Sequence, residues 1–268
     1  MPSQGAMNLR IRFLILFLAA CTITSAAGQK KLRSLNHNAF RPGEVLKFRI
    51  HYGFMDAGEA TLEVKPELKN FGNRDCYHVV GTGRSVGAFD WFFKVRDRYE
   101  SVIDKDAMLP WLFIRRVNEG GYIINQNVSF NHYSDSAKSE KATISIPENT
   151  QDLVSAFYYA RTIDFSNAKE GDIFPINGYL DDAIFPMNIK YIGKEEIKTK
   201  MGTFRCIKFR PMLVEGRVFK DNEDMTVWVS DDPNRIPVRV QTDILVGSIK
   251  MDLVGYENLA NQPAIVGK

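Results

Sequence analysis

The sequence predicts a mainly β fold: antiparallel curved sheets or an open barrel in two related halves, with one packed helix near residues 151–163. Three observations predict it. Short segments alternate apolar and polar residues with a period of two, the pattern of half-buried strands. Turn residues punctuate those segments at the spacing of an antiparallel barrel or curved sheet. Landmarks of the first half recur, in order, in the second.

The first half reads as follows. Phe40-Arg41-Pro42-Gly43-Glu44 marks an entry turn. Leu46, Phe48, Ile50 and Tyr52 then share one face, with Lys47, Arg49 and His51 on the other. Asp56-Ala57-Gly58 reads as a turn, and Ala60, Leu62 and Val64 alternate with polar neighbours beyond it, so the pair is a hairpin. Residues 70–75 read as a loop before a strand from Cys76 to Gly81. Further strands are expected over 93–103, 110–117 and 122–130, with turns at 104–106 and 119–121, and a short one over 142–146 after a polar stretch at 131–139. Asn149 or Thr150 can cap a helix from Gln151 to about Ile163, because Leu153, Val154, Phe157, Tyr158 and Arg161 recur at helical spacing. Residues 87–93 can form a shorter helical piece.

The second half repeats the first in outline. Gly43-Glu44 recurs as Gly171-Asp172, and the strand at Cys76 as the strand at Cys206. Tyr99–Asp106, followed by Leu109-Pro110, recurs as Thr226–Asp232, followed by Ile236-Pro237. The organisation this implies is a signal peptide over 1–28, a flexible leader over 29–39, a first β half over 40–148, a bridging helix over 149–165, a second β half over 166–260 and a tail over 261–268.

The N-terminus carries the features of an export signal. Arg10 and Arg12 precede the apolar run Phe13–Ala20, and Ser25-Ala26-Ala27-Gly28 supplies small residues for cleavage. Leu18-Ala19-Ala20-Cys21 also fits the lipoprotein pattern, which would leave a lipidated Cys21 attached to a membrane; a cut after Gly28 is favoured. No later segment is long and apolar enough to span a bilayer as a helix. Without residues 1–28 the chain keeps 33 Lys and Arg against 32 Asp and Glu. That balance argues against nucleic acid as a partner, which calls for a strongly basic face. The expected location is the periplasm of a Gram-negative envelope.

Residues that could carry chemistry are few. Cys76 and Cys206 form an even pair in an oxidising compartment, which permits one disulfide. Equivalent positions in two repeats are seldom neighbours, which weighs against it. His37, His51, His78 and His132 are scattered, so no zinc site is expected. The acidic groups Asp181-Asp182, Asp221/Glu223/Asp224 and Asp231-Asp232 match no calcium loop and read as turn chemistry. There is no nucleophile elbow, phosphate loop or C-x-x-C motif. No catalytic residue, metal or cofactor is expected.

Aromatic residues make up 12% of the chain. They cluster at Phe89, Trp91, Phe92 and Phe93, at Trp111 and Phe113, and at Phe157 and Tyr158. Arg96, Arg98, Arg116 and Arg161 lie close by in sequence. Filling a core is the simpler role for these rings. The sharper one is lining an apolar surface whose arginines receive an anionic headgroup.

The segments Phe40–Glu44, Gly58-Glu59-Ala60, Val95–Asp104, Pro110 with Arg115-Arg116, Ser155–Arg161 and Val227–Asp232 together resemble a family of exported bacterial proteins, domain of unknown function 3108. The resemblance covers nearly all of the chain beyond the signal. It implies a β-rich envelope protein similar to the incompletely closed barrels of lipoprotein carriers, with no assigned catalytic residues to carry over. The expected function is non-enzymatic binding of a hydrophobic or amphiphilic envelope component, such as a lipid, on a concave aromatic surface. A structural or interaction module with an envelope protein partner is the alternative; a glycan hydrolase with unrecognised carboxylates is a second.

Overall fold

The computed structural model describes residues 30–212, 225–243 and 247–266. The expected export signal with Cys21, and the acidic residues at 221–224, lie outside them. The β fold lies within the unit spanning residues 32–268. Its elements in chain order are β1 (Val45–Tyr52), β2 (Met55–Val64), β3 (Lys69–Phe71), β4 (Arg74–Ser85), α1 (Gly87–Phe92), β5 (Arg96–Asp104), β6 (Pro110–Glu119), β7 (Tyr122–Asn131), β8 (Ser136–Lys138) and β9 (Thr143–Ser145). After α2 (Leu153–Ala160) come β10 (Ile173–Phe174), β11 (Asn177–Leu180), β12 (Ala183–Pro186), β13 (Asn188–Thr199), β14 (Gly202–Met212), β15 (Met225–Ser230), β16 (Pro237–Asp243), β17 (Ser248–Glu257) and β18 (Ile265–Val266).

One antiparallel sheet runs in the order β10-β13-β14-β15-β16-β17-β1-β2-β4-β5-β6-β7-β8-β9, with β18 added to β14 and β3 to β4. It does not close: β10 and β9 are its two edges. β11 and β12 form a separate hairpin. The seam between the halves is the pairing of β1 with β17, from Val45 opposite Glu257 to Tyr52 opposite Ile249. Bulges at Lys47/Phe48, Ile50/His51, Val102/Ile103, Tyr191/Gly193 and Trp228/Val229 add local twist and bend the strands.

The two halves are related in backbone detail. Gly43 N–H donates to the Val64 carbonyl at 2.8 Å, and Gly171 N–H to that of Tyr191 at 2.9 Å. Val64 N–H returns to Glu44, as Tyr191 N–H does to Asp172, both at 2.9 Å. Both glycines hold positive φ, +84° and +94°, where a side chain is strained. Cys76 faces Asp104 across β4–β5, and Cys206 faces Ser230 across β14–β15. Asp104 N–H donates to Leu109 and Ser230 N–H to Ile236, both at 2.8 Å; Lys105 N–H reaches Asp75 and Asp231 N–H reaches Arg205, both at 2.9 Å.

Several local expectations are corrected. The first hairpin turns at Gly53-Phe54, so 56–58 is already strand. Residues 70–75 hold the tight β3–β4 hairpin instead of a loop, and 131–139 contains β8. The helix is shorter than 151–163 because Asp152, and not Asn149 or Thr150, caps it: its carboxylate accepts from Val154 and Ser155 N–H at 2.7 Å each, and the Ser155 hydroxyl accepts from Asp152 N–H. Gln151 instead pairs with Gly178. Residues 32–39 make specific contacts with the β fold. Arg33 donates to the Ala107 and Met108 carbonyls at 2.7 and 2.9 Å, Leu35 N–H to Asp106 at 2.7 Å, and Ala39 is buried. The tail is tied down as well, since Ile265-Val266 pair with Phe204-Thr203 and Asn261 bonds Asn234.

Two main cores follow. On the first half, Val64, Val79, Ile103, Phe113, Val128 and Phe130 pack against Val154 and Tyr158 of α2. Around the seam, Leu46, Phe48, Phe204, Cys206, Trp228 and Leu253 form the second. The opposite face of the first half carries a smaller cluster of Cys76, Val102 and Trp111 under Leu32. Cys76 and Cys206 thus sit in different clusters as buried free thiols, and the permitted disulfide is absent. Burial pushes both thiols up to about 12, which leaves them protonated and unreactive.

Candidate apolar site beside the helix

The sequence places two apolar faces on α2. Val154 and Tyr158 are buried in the first-half core and Leu153 and Phe157 pack against its margin, while Leu153, Ala156, Phe157 and Ala160, spaced i, i+3, i+4 and i+7, make a second apolar face. This second face forms one wall of a cavity of about 200 Å³. Strands β13, β14 and β15 supply the opposite wall through Ile189, Phe209, Val227 and Val229, and Phe165, Ile176 and Met187 close the sides. Behind the wall, Phe165 packs edge-on against Phe174 and tilted against Phe209, at 4.8 and 4.6 Å between ring centres.

Two guanidinium groups border this space and differ in what they can do. Arg161, the last residue of the helical turn, is fully buried. It donates to both oxygens of the fully buried Glu44 at 2.6 and 2.8 Å, and to the Ala39 and Asn234 carbonyls at 3.0 and 2.9 Å. Burial works against its charge, and the Glu44 carboxylate more than offsets that, so its pKa ends above the ordinary arginine value. The rings of Phe40 and Tyr158 lie against this guanidinium, at 5.3 and 5.0 Å from their centres. It clamps the entry of β1, the end of α2 and the β15–β16 turn together. Arg235 is half-buried at the cavity edge. One hydrogen bond to the Arg161 carbonyl at 2.9 Å occupies one of its donors, and its face lies over Phe165 at 5.8 Å. Burial pushes its pKa down, and the negative charge of Asp164 opposes that in part.

The residues expected from sequence to share a ligand surface are not brought to one place. Phe157 and Arg161 line the cavity. Phe113 and Tyr158 are inside the first-half core, and Trp111 is buried on the opposite face, its indole N–H on Asp104 at 3.0 Å. Phe89, Trp91, Phe92 and Phe93 are exposed on and beside α1. Arg96, Arg98 and Arg116 gather on the face away from the core, lining a separate polar groove with Arg84. Sequence reading missed Arg235, Phe165, Phe209 and Met187. Period-two alternation marks Phe209 as inward, but nothing local shows which inward residues border a gap and which are packed solid. Among the described residues, no group of three or more His, Cys, Asp or Glu could hold a metal ion, and no helix is long and apolar enough to cross a membrane.

Solved structures are similar to this chain at low identity. A β-barrel-like protein of domain of unknown function 1849 from Brucella abortus superposes with a TM-score of 0.54 at 10% identity, over 82% of this chain and 99% of that one. A candidate lipoprotein from Parabacteroides distasonis matches with a TM-score of 0.38 at 12% identity, over 85% and 100% of the two chains. A candidate exported protein with a YmcC-like fold from Bacteroides fragilis gives 0.33 at 10% identity, over 85% and 100%. Only the first supports a shared fold. No curated protein matches the chain at a significant level. The profile of the protein family of unknown function DUF3108 matches residues 47–254, from β1 through β17, and the chain belongs to that family.

Proposed function

We propose that the protein is a non-catalytic envelope protein that binds the apolar chain of an amphiphile between α2 and the second half of the sheet. The cavity carries this reading: its walls are apolar side chains from two elements far apart in sequence, with a single half-buried cation, Arg235, at the edge. An apolar cavity with one well-placed polar group is the usual form of a small-molecule site. At about 200 Å³ it is smaller than the roughly 300–1,000 Å³ that enclose whole drug-sized ligands. It fits part of a chain, with the remainder of the ligand outside. Arg235 would receive an acidic head through its remaining donors; Arg161 would not, because Glu44 already holds it. Placement in the periplasm rests on the signal-like residues before Gln29.

Native mass spectrometry of protein secreted through a periplasm and purified without detergent tests this. The expected spectrum carries an added mass that disappears on organic extraction and proves to be an acidic amphiphile. A protein that is uniformly ligand-free after mild purification, and stays so when an acyl-chain acid is added, counts against the reading.

A further inference from the structure

One end of the sheet carries a surface that the cavity does not use. In an antiparallel sheet alternate connections lie at the same end, so the β1–β2 turn, the β4–β5 connection with α1, and the β6–β7 turn form one rim. Its side chains are the large apolar ones that water should least favour. Phe54 is 92% exposed, Trp91 81% and Phe92 77%, and Tyr122 and Ile123 are exposed beside the β6–β7 turn. Phe93 lies against Gly120, where a Cβ would come within 2.4 Å of its ring, and Trp91 and Phe92 meet edge-on at 4.6 Å between ring centres.

Directly beside this rim, on the face away from the core, four arginines stand in a groove of about 340 Å³ with only Glu59 and Asp97 as lining acids. Their register is unusual. Arg84 lies opposite Arg96 across β4–β5, and Arg98 opposite Arg116 across β5–β6. Like charges directly opposed in a sheet are destabilising. Each of three has one carboxylate partner, Arg84 with Glu59 at 2.7 Å, Arg96 with Asp90 at 2.6 Å and Arg98 with Glu100 at 2.8 Å, while Arg116 donates to Asn127 and two backbone carbonyls; what the cluster offers a phosphate is the donors these partners leave over. The cluster and the rings form one unit, because Asp90 of α1 accepts from Arg96 at 2.6 and 3.0 Å and from the Ser85 hydroxyl at 2.7 Å.

We propose that this end of the molecule docks on an anionic phospholipid surface, with the rings of Phe54, Trp91 and Phe92 entering the headgroup layer and Arg84, Arg96, Arg98 and Arg116 meeting its phosphates. Exposed tryptophan, tyrosine and phenylalanine at turn tips suit the membrane–water boundary, where an amphipathic ring has both media. A guanidinium fork matches phosphate geometry with two parallel donors, and five donors leave capacity beyond one carboxylate partner. Rings spread over the tips of separate turns suit a planar partner better than the concave grip a peptide requires. The surface is independent of the cavity and shares no residue with it.

The test is sedimentation with vesicles, read together with tryptophan emission. Trp91 is the exposed tryptophan, whereas Trp111 and Trp228 are buried, so a blue shift on binding reports Trp91. Vesicles of equal parts phosphatidylcholine and phosphatidylglycerol should bind the protein and shift the emission, and phosphatidylcholine alone should not. Trp91→Ser with Phe92→Ser should lower binding at least tenfold with an unchanged melting temperature. Arg84→Gln with Arg116→Gln should lower it by about fivefold per arginine, and added salt should do the same. Failure to bind the anionic vesicles would overturn the proposal in favour of a protein partner. Equal binding to neutral vesicles, or binding indifferent to both double variants, would also overturn it. The cavity ligand in native mass spectrometry should be unaffected by either variant, which keeps the two readings separable.

Discussion

Glu44→Gln is expected to cost about 3–5 kcal/mol of folding stability in urea unfolding, the largest effect of any single substitution considered. The carboxylate and the Arg161 guanidinium are both fully buried and make two hydrogen bonds to each other. Two buried charges that satisfy one another are roughly neutral against a well-packed apolar pair. One buried charge left without its partner is not, because its solvation in water has been given up for nothing. Arg161 would keep the bonds to the Ala39 and Asn234 carbonyls but lose its counter-charge. If Glu44→Gln does not fold, the double variant Glu44→Leu/Arg161→Met supplies the second measurement. Removing both charges should leave a folded protein that has lost less than either single variant. A single-variant cost below 1 kcal/mol would contradict the assigned role of the clamp.

Asp104→Ala should cost about 2–3 kcal/mol, and the acid side of the stability profile should show the same group. Asp104 ends β5 and organises the following turn by itself. It accepts from Arg74, from the amides of Asp106 and Ala107 at 3.1 and 2.8 Å, and from the Trp111 indole at 3.0 Å. Burial pushes its pKa up, but the Arg74 guanidinium, the Ala107 amide and the Trp111 indole outweigh that and hold it below the ordinary carboxylate value. The unfolded chain therefore binds a proton at this group more readily than the folded one. Its contribution is present above the ordinary Asp range, about pH 4, and is lost as pH falls through the folded value. The advantage of the wild type over Asp104→Asn should accordingly shrink below about pH 4. Urea unfolding at a series of pH values checks this, and an advantage constant down to the acid limit would contradict it. The equivalent position in the other half is Ser230, whose hydroxyl accepts from Ile236 N–H at 3.1 Å. That turn carries its carboxylate at Asp232 instead, which accepts from the Asn234 and Ala264 N–H groups at 2.8 and 2.7 Å.

What sequence could show and what it could not divide along physical lines. Alternation located β1, β2, β6 and β7 because each has one buried and one solvated face. The glycines at 43 and 171 marked the repeat because each holds a backbone conformation that other residues avoid. The leader carries no period, since it is pinned by arginine-to-carbonyl bonds instead of by a regular face. The helix lost its outer turns because Asp152 competes better for the first amides than Asn149 or Thr150. The clamp joins residues 117 positions apart, and no local rule predicts that Glu44 and Arg161 meet. The cavity was out of reach for a related reason. Phe157 and Phe209 have the same composition and period as rings packed solid, and only the path of the chain leaves a gap between them.

Ligand occupancy of that gap tests the central claim most directly. Wild-type protein should be titrated with a fluorescent acyl-chain acid beside Ala160→Trp and Val227→Trp, which fill the cavity from its two opposite walls. The account predicts saturable binding by the wild type, at least tenfold weaker binding by both variants, and unchanged melting temperatures. Binding of equal strength in all three proteins would place the chain elsewhere and contradict it.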